Sequence, residues 1–511
     1  MGNDFSSTFL YRKLHLNTTP DTNTTKDSIK FTLPSLKRGQ GSKRIYKRPE
    51  LPITAVLGSA FLIYGVLYHA AAFAVLGAVF SYDRSSSETA ILMNIRDISY
   101  IVFTIVGAII VPRWSARNII VACLSLMAVC AIAVSFQTHN FALAEFLFFL
   151  TGGSFALVRL AAYWLISLES KHKGQHARRI MHLEGMYLLG VALSYLLFLP
   201  YIQDIDSSWT QAYWILLPFL VIAIGFQFLH YHYPPRTIPE SWKNEFRHAS
   251  KSLNGLLINS ILILSIFCVF IASLIYVHFE EWTNVFAVRL IDLRNRQFYD
   301  LGVLAAIFLV MAISRLLIGV IVQRAGRFMI FVFCVFGLMA LVLWNGDIFS
   351  SQTIYPASVF TDISPYSLLL PATAFFLVPI LPLIYAVVIT QASERQQPLV
   401  IGLLLGTTML AKLLFTSLSA KSYNYFVDYT AFYLILIPLA LLLVLFFLAY
   451  SDLSRDSKLF QRKKRTSKKP KKKRRTIKRR FKTTRRKEEK QNEGLDEDLE
   501  WVDEEESEKL N

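Results

Sequence analysis

Residues 315–327 read Arg315-Leu-Leu-Ile-Gly319-Val-Ile-Val-Gln323-Arg324-Ala-Gly326-Arg327. The stretch starts inside a long apolar run and leaves it through a short basic turn. Gly319 has no side chain and lets two helices approach closely. Gly326 permits a tight turn that other residues strain to make. The arginines can bond helix ends or acidic groups on a neighbouring helix. Gln323, just before the turn, can hydrogen-bond but carries no charge, so any electrostatic latch there is weakened. A plain basic turn between two membrane spans would look much the same, because Lys and Arg collect on one side of a membrane.

The flanking sequence supports a membrane reading. A helix needs about 20 apolar residues to cross a bilayer. Runs of that kind occupy 51–80, 90–112, 118–136, 141–168, 180–200, 211–231, 255–287, 298–322, 328–345, 368–390, 399–420 and 430–450. Twelve spans predict an all-α membrane protein with both tails on one side. The basic connection Tyr233–Asn254, with Pro234, Pro235 and Pro239, divides them six and six. The expected organisation is a polar tail over 1–50, a six-helix bundle over 51–232, a central loop over 233–254, a second bundle over 255–450 and a charged tail over 451–511.

Composition agrees. The 511 residues are 54% hydrophobic and 18% charged, against roughly 25% charged in soluble domains. A single soluble enzyme domain and a disordered chain are both excluded. The net charge of +18 divides into +6 over 1–50, +3 over 51–454 and +9 over 455–511. If the tails are cytoplasmic, the loops on their side hold thirteen Lys/Arg and the opposite loops five. That asymmetry predicts cytoplasmic termini in a cell membrane, plasma or bacterial inner. Residues 1–50 lack the apolar core of a cleavable signal peptide. Cys123, Cys130, Cys268 and Cys334 lie in apolar runs without metal-ligand spacing.

Residues Arg455–Lys487 hold 20 Lys/Arg and one acid. Beside a membrane, such a run is expected to attract anionic lipid at about 1 kcal/mol per residue. Residues 488–511 reverse the sign and can fold back on it. No specific nucleic-acid partner is expected.

The first half repeats the opening stretch in weaker form, as Gly107-Ala-Ile-Ile-Val-Pro-Arg113-Trp-Ser-Ala-Arg117, 212 residues before Gly319. Together these segments resemble the G-x-x-x-D-R-x-G-R signature of the major facilitator superfamily, which lies between the second and third helices of each half. Gly319, Arg324, Gly326 and Arg327 match it; Gln323 stands where that family usually has Asp. The stretch Gly152–Pro200, with the basic loop Lys171–Arg179 and Glu184-Gly185, is similar to the sugar–proton symporter-like bacterial permeases. So is a Glu-Trp pair late in span seven. The resemblance implies two pseudo-symmetric six-helix bundles, with helices one, four, seven and ten lining a central cavity.

Ionisable groups inside a bilayer are costly and usually functional. Span one carries Tyr64 and Tyr68 on one face, with His69 beside them, able to bond a polar solute. Span four carries Gly152, Gly153 and Arg159, with Glu184 on span five as the expected ion-pair partner of Arg159. Span seven carries Glu280-Glu281-Trp282-Thr283-Asn284. These form an outer loop if the helix stops near His278. If it runs on to Val288, they place a proton-carrying carboxylate and polar contacts in the membrane. Span ten holds Pro371, Pro379 and Pro382, which can bend it. Lys412 lies midway along span eleven.

The expected function is secondary active transport of a small polar organic solute by alternating access, the expected partners being that solute and protons moved in symport. The alternative is a non-transporting sensor or scaffold that works through its charged tail. No phosphate-binding loop, catalytic triad or metal-ligand set is evident, so neither enzymatic activity nor a cofactor is expected.

Overall fold

The computed structural model describes residues 52–81, 86–89, 91–136, 141–203, 211–229, 260–290, 296–351, 369–422 and 435–451. Both charged tails and the central loop lie outside them. Among the described residues there is no strand. Twelve helices follow the twelve apolar runs. They are α1 (Ile53–Ser81), α2 (Ile91–Ile110), α3 (Ala116–Phe136), α4 (Phe141–Glu169), α5 (Lys173–Gln203), α6 (Ala212–Gln227), α7 (Ser260–Leu290), α8 (Arg296–Ala325), α9 (Arg327–Ser351), α10 (Leu369–Leu377 continued by Ile380–Ile389), α11 (Gln397–Ser422) and α12 (Ile435–Ser451). Ten are long and apolar enough to cross a membrane; α6 and α12 are shorter apolar helices. A single helical turn, Ser86–Thr89, follows α1.

The helices form because hydrocarbon leaves no other partner for backbone N–H and C=O groups. Their outward faces carry large apolar side chains: Phe136 and Ile437 are each 71% exposed. In water such surface would drive aggregation; against lipid it is the stable arrangement. The four cysteines are free and buried.

Two helix boundaries bear on the site. Helix α5 begins at Lys173, so most of the basic stretch 171–179 is helix rather than loop. Lys, Gln and Arg are good helix formers, and the edge of an apolar run marks where the membrane ends, not the helix. Helix α7 runs unbroken to Leu290, so Glu280–Asn284 lie on a helix. Of the three prolines in span ten, only Pro379 interrupts the helix, in the Val378–Pro379 turn. Pro371 and Pro382 fall in first turns, where the missing N–H has no intrahelical partner to lose.

Short turns at 111–115, 170–172, 326 and 390–396 join α2 to α3, α4 to α5, α8 to α9 and α10 to α11. They share one end of the bundle, called here the basic end. Gly326 makes its turn with φ of 88°, the left-handed conformation that glycine adopts without strain. Arg324 is exposed there, while Arg327 turns inward: its Nη1 donates to the Ala386 carbonyl (2.9 Å) and to Thr390 Oγ1 (2.8 Å), capping the C-terminal end of α10. Arg113 is buried in the corresponding turn of the first half. Gly107 admits the Leu157 side chain of α4, and Gly319 lets α8 press on Met181 and His182 of α5.

The first six helices and the last six meet along two seams related by the sequence repeat, α5 on α8 and α2 on α11. At the basic end, Arg178 Nη1 donates to Gln323 Oε1 (3.0 Å) across the first seam. Nearby, Ser167 Oγ donates to Gln397 Oε1 (2.6 Å), joining α4 to α11.

Candidate functional site

Helical rise fixes the depth of each charge. At 1.5 Å per residue, Arg159, Glu184 and Arg315 all lie about 15–17 Å from the basic end of their helices, about half a bilayer deep. They converge. Arg159 of α4 pairs with Glu184 of α5 through Nη2 to Oε1 at 2.6 Å and Nε to Oε1 at 2.8 Å. Arg315 of α8 reaches the other carboxylate oxygen, Nη1 to Oε2, at 3.0 Å. The Tyr163 hydroxyl also donates to Glu184 Oε1. Arg159 extends towards the Tyr100 hydroxyl of α2, Nη1 to Oη at 3.4 Å.

Glu184 is 2% exposed and Arg315 is 4% exposed, so both charges are compensated within the protein. Two cations hold one anion, a geometry that repays desolvation only when every oxygen is occupied. Arg315 does a further job: its Nε donates to the Val378 carbonyl (3.2 Å), at the break in α10. The Val378 carbonyl is the acceptor that an N–H at position 382 would have bonded, and Pro382 has none, so Arg315 satisfies it from α8; Ser314 Oγ does the same (2.5 Å) for the Phe375 carbonyl left free by Pro379.

A second cluster lies higher, about 20 Å from the basic end. Tyr68 Oη of α1 donates to Asp97 Oδ1 of α2 at 2.6 Å. Arg96 Nε donates to the same oxygen at 2.8 Å, and Arg96 Nη1 to the Tyr68 carbonyl at 2.6 Å. The Arg96 guanidinium also sits 3.9 Å above the Tyr68 ring, a favourable cation–π geometry. Tyr68 Oη lies 3.6 Å from Met409 Sδ of α11. Lys412, three residues further along α11, stands within electrostatic reach of Asp97 and His69.

The sequence-derived candidates thus divide. Tyr64 is fully buried and stacks on Phe155 at 5.3 Å between ring centroids. Tyr68 also meets Phe155. His69 turns away from both, pairing its Nε2 with the Tyr195 hydroxyl of α5 (2.8 Å) and packing on Phe308 of α8. The three side chains therefore do not form one cluster. Glu280 is half-buried and faces Tyr187, Tyr195 and Tyr276. The side chains of Glu281, Trp282 and Asn284 lie outside the described residues. Arg315, grouped with the surface motif on sequence, belongs instead to the buried network: eleven residues separate it from Gly326, which puts it three helical turns above the basic end. Arg96 and Asp97 escaped the sequence reading, although an adjacent Arg-Asp pair inside an apolar run is itself the signal that finds them.

Among the described residues, no group of three or more His, Cys, Asp or Glu is placed to hold a metal.

The Major Facilitator Superfamily model matches residues 55–377. No curated protein matches the chain by sequence. Solved structures of similar fold include a Major Facilitator Superfamily transporter, FucP, in the outward conformation, with TM-score 0.60, 15% identity and coverage of 78% of this chain and 97% of that one. A second structure, of the E. coli fucose:proton symporter FucP, has TM-score 0.60 at 14% identity over 78% and 97% of the two chains. The proton:xylose symporter XylE bound to 6-bromo-6-deoxy-D-glucose gives 0.57 at 14% identity over 77% and 94%. At these identities the likeness is one of fold. The family model spans well over half of the sequence and falls on a twelve-helix body with that same fold, so this chain belongs to the major facilitator superfamily.

Proposed function

We propose that the protein is a secondary active transporter that moves a small polar organic solute across the cell membrane by alternating access, in symport with protons. The observation that carries this reading is Glu184, a carboxylate of the first half held near mid-depth by Arg159 of its own half and Arg315 of the other. Charges this deep in a membrane protein mark function by default. The Glu184–Arg315 contact crosses between the halves, so rocking one half on the other breaks and remakes it. A solute with several hydroxyl or carboxylate groups can replace the lost bonds as it binds, which links occupancy to the state of the seam.

The wall beside this contact is polar and aromatic, with Tyr187, Tyr276 and Glu280 from α5 and α7. It suits a solute that needs both stacking and hydrogen bonds. The structural neighbours FucP and XylE, named as symporters of fucose and xylose with protons, support sugars as the first class to test. Both tails are taken to be cytoplasmic, with residues 455–487 drawn to anionic lipid.

The test is uptake by the full chain in liposomes, over a panel of labelled sugars, amino acids and carboxylates, with and without an inward proton gradient. One solute class is expected to accumulate only with the gradient, and accumulation is expected to be lost in Glu184→Gln. Failure of every class to accumulate, with folded protein in sealed vesicles, would overturn the reading.

A further inference from the structure

Three polar side chains between the halves have no bonds of their own. Glu280 and Tyr276 lie four residues apart on α7, so they share a face. Tyr187 of α5 reaches them from the other half, and the three interact electrostatically. None of them makes a side-chain hydrogen bond or ion pair among the described residues. They are therefore near one another but too far apart to bond directly, and each is only half-buried. The space between α5 and α7 is thus lined by one carboxylate and two phenol oxygens. Tyr195 borders it, with its hydroxyl engaged by His69 Nε2 at 2.8 Å.

Charge sets the chemistry of this space. The acids of the two networks are each held by arginine: Asp97 by Arg96 at 2.8 Å, and Glu184 by Arg159 at 2.6 Å and Arg315 at 3.0 Å. The same three arginines are the cations whose charge reaches Tyr187 and Tyr276, so they arrive already paired. Glu280 has no such cation among the described residues. A carboxylate in an apolar body is costly unless it is paired and hydrogen-bonded. The group that completes the set has a definite shape. An ammonium offers three N–H donors and no acceptor. That matches the three acceptors here: the Glu280 carboxylate, Tyr187 Oη and Tyr276 Oη.

We infer that Glu280, Tyr187 and Tyr276 form the subsite for a primary ammonium group of the transported solute. The solute class is then amine-bearing, such as an amino sugar or an amino acid, rather than neutral. By helical rise, Tyr187 and Tyr276 lie about 21–24 Å from the basic end and Glu280 about 30 Å. Glu184 and Arg315 lie nearer that end. The amine is therefore held beyond the Glu184–Arg315 contact, and the rest of the solute can extend towards it. One ammonium bonded to Glu280 of α7 and Tyr187 of α5 bridges the two halves, so binding draws them together. The inference rests on the transporter reading, to which it adds the charge of the solute.

The probes are glucosamine, ethanolamine and γ-aminobutyrate, each beside its N-acetyl derivative, with sodium chloride alone as the control for an inorganic cation. Each is titrated into the full chain in lipid nanodiscs at about pH 6, where amines are protonated. At least one amine is expected to bind. Its N-acetyl form should bind more weakly by about tenfold or more, the size of one lost hydrogen bond to a charged group. Glu280→Gln should abolish that preference, and Glu280→Asp should restore part of it. Tyr187→Phe and Tyr276→Phe each remove one acceptor and should narrow it; they decide the matter if Glu280→Gln does not fold. The inference is overturned if no amine binds more tightly than its N-acetyl form. It is overturned equally if the preference survives Glu280→Gln or both phenylalanine variants, or if sodium chloride alone gives the same Glu280-dependent response. Proton-driven uptake of a neutral solute, with no preference for amines, sinks the inference and leaves the transporter reading standing. Amine binding that depends on Glu280, in a protein that accumulates no solute on a proton gradient, does the reverse.

Discussion

Glu184 shows how far a single residue can be argued. Its carboxylate accepts from Arg159, Arg315 and Tyr163, so removing it strands two guanidinium groups in an apolar interior. Breaking a buried pair in this way costs about 3–5 kcal/mol. Arg315→Met is expected to be milder, about 1–3 kcal/mol, because Glu184 keeps Arg159 and the loss is one carboxylate contact and the bonds to the Glu184 and Val378 carbonyls. Thermal unfolding in detergent should therefore rank Glu184→Ala well below Arg315→Met, and the opposite order would show that Arg315 rather than Glu184 is the centre of the network. The sequence made Arg159 and Glu184 visible because a charge inside an apolar run has no bland explanation. Arg315 was equally visible as a residue, but its place was not: the turn motif beside it offered a surface role, and only three-dimensional depth separates it from Arg324. Asp97 was hidden by its position six residues into α2, where a charge reads as the rim of a span.

At the scale of helices, α1 and α5 approach to backbone contact, as α2 and α4 do at Gly152. A Cβ on Gly65 would overlap the carbonyl oxygen of Tyr187, and one on Gly190 would overlap that of Leu62. The two backbones are in direct contact, as small residues allow in membrane helix pairs. Gly65→Ala is expected to force the helices apart and cost about 1–3 kcal/mol, the usual penalty for overpacking. Gly225 of α6 is the internal control, because a methyl group there meets nothing within 4 Å. Gly225→Ala should instead stabilise by about 0.4–1 kcal/mol through the unfolded chain. Unfolding temperatures that move in opposite directions for the two variants would support the packing argument; a fall in both would place the cost in helix distortion rather than contact. The number and order of helices followed from the apolar runs because each span must satisfy its own backbone. Neither the α1–α5 contact nor the break at Pro379 could be chosen from sequence, since span ten has three prolines and only contacts across the bundle decide which one bends it.

For the whole molecule, the question is what holds the basic end shut. Features that join the halves there include the Arg178–Gln323 bond, the Ser167–Gln397 bond, and Gly402 of α11 pressed on Thr104 and Ala108 of α2. The first is exposed to solvent and neutral on one side, so its contribution is small. Gln323→Asp would turn it into a charged pair, worth about 0–1 kcal/mol at an exposed site. A gain of that size multiplies a two-state ratio by up to about fivefold, because only the difference in stability between the states moves the population. Gln323→Ala removes the bond and should move the ratio the other way by a similar factor. Fluorescent labels at Trp114→Cys and Arg395→Cys, on turns of opposite halves at the basic end, would report both shifts as changes in the fraction of short-distance molecules. High salt should erase the Gln323→Asp gain, since an exposed ion pair is screened, and leave the effect of Gln323→Ala nearly unchanged. Equal distance distributions in all three proteins would mean that the seam is closed by the buried packing of α2 on α11, with Arg178 and Gln323 only resting on it.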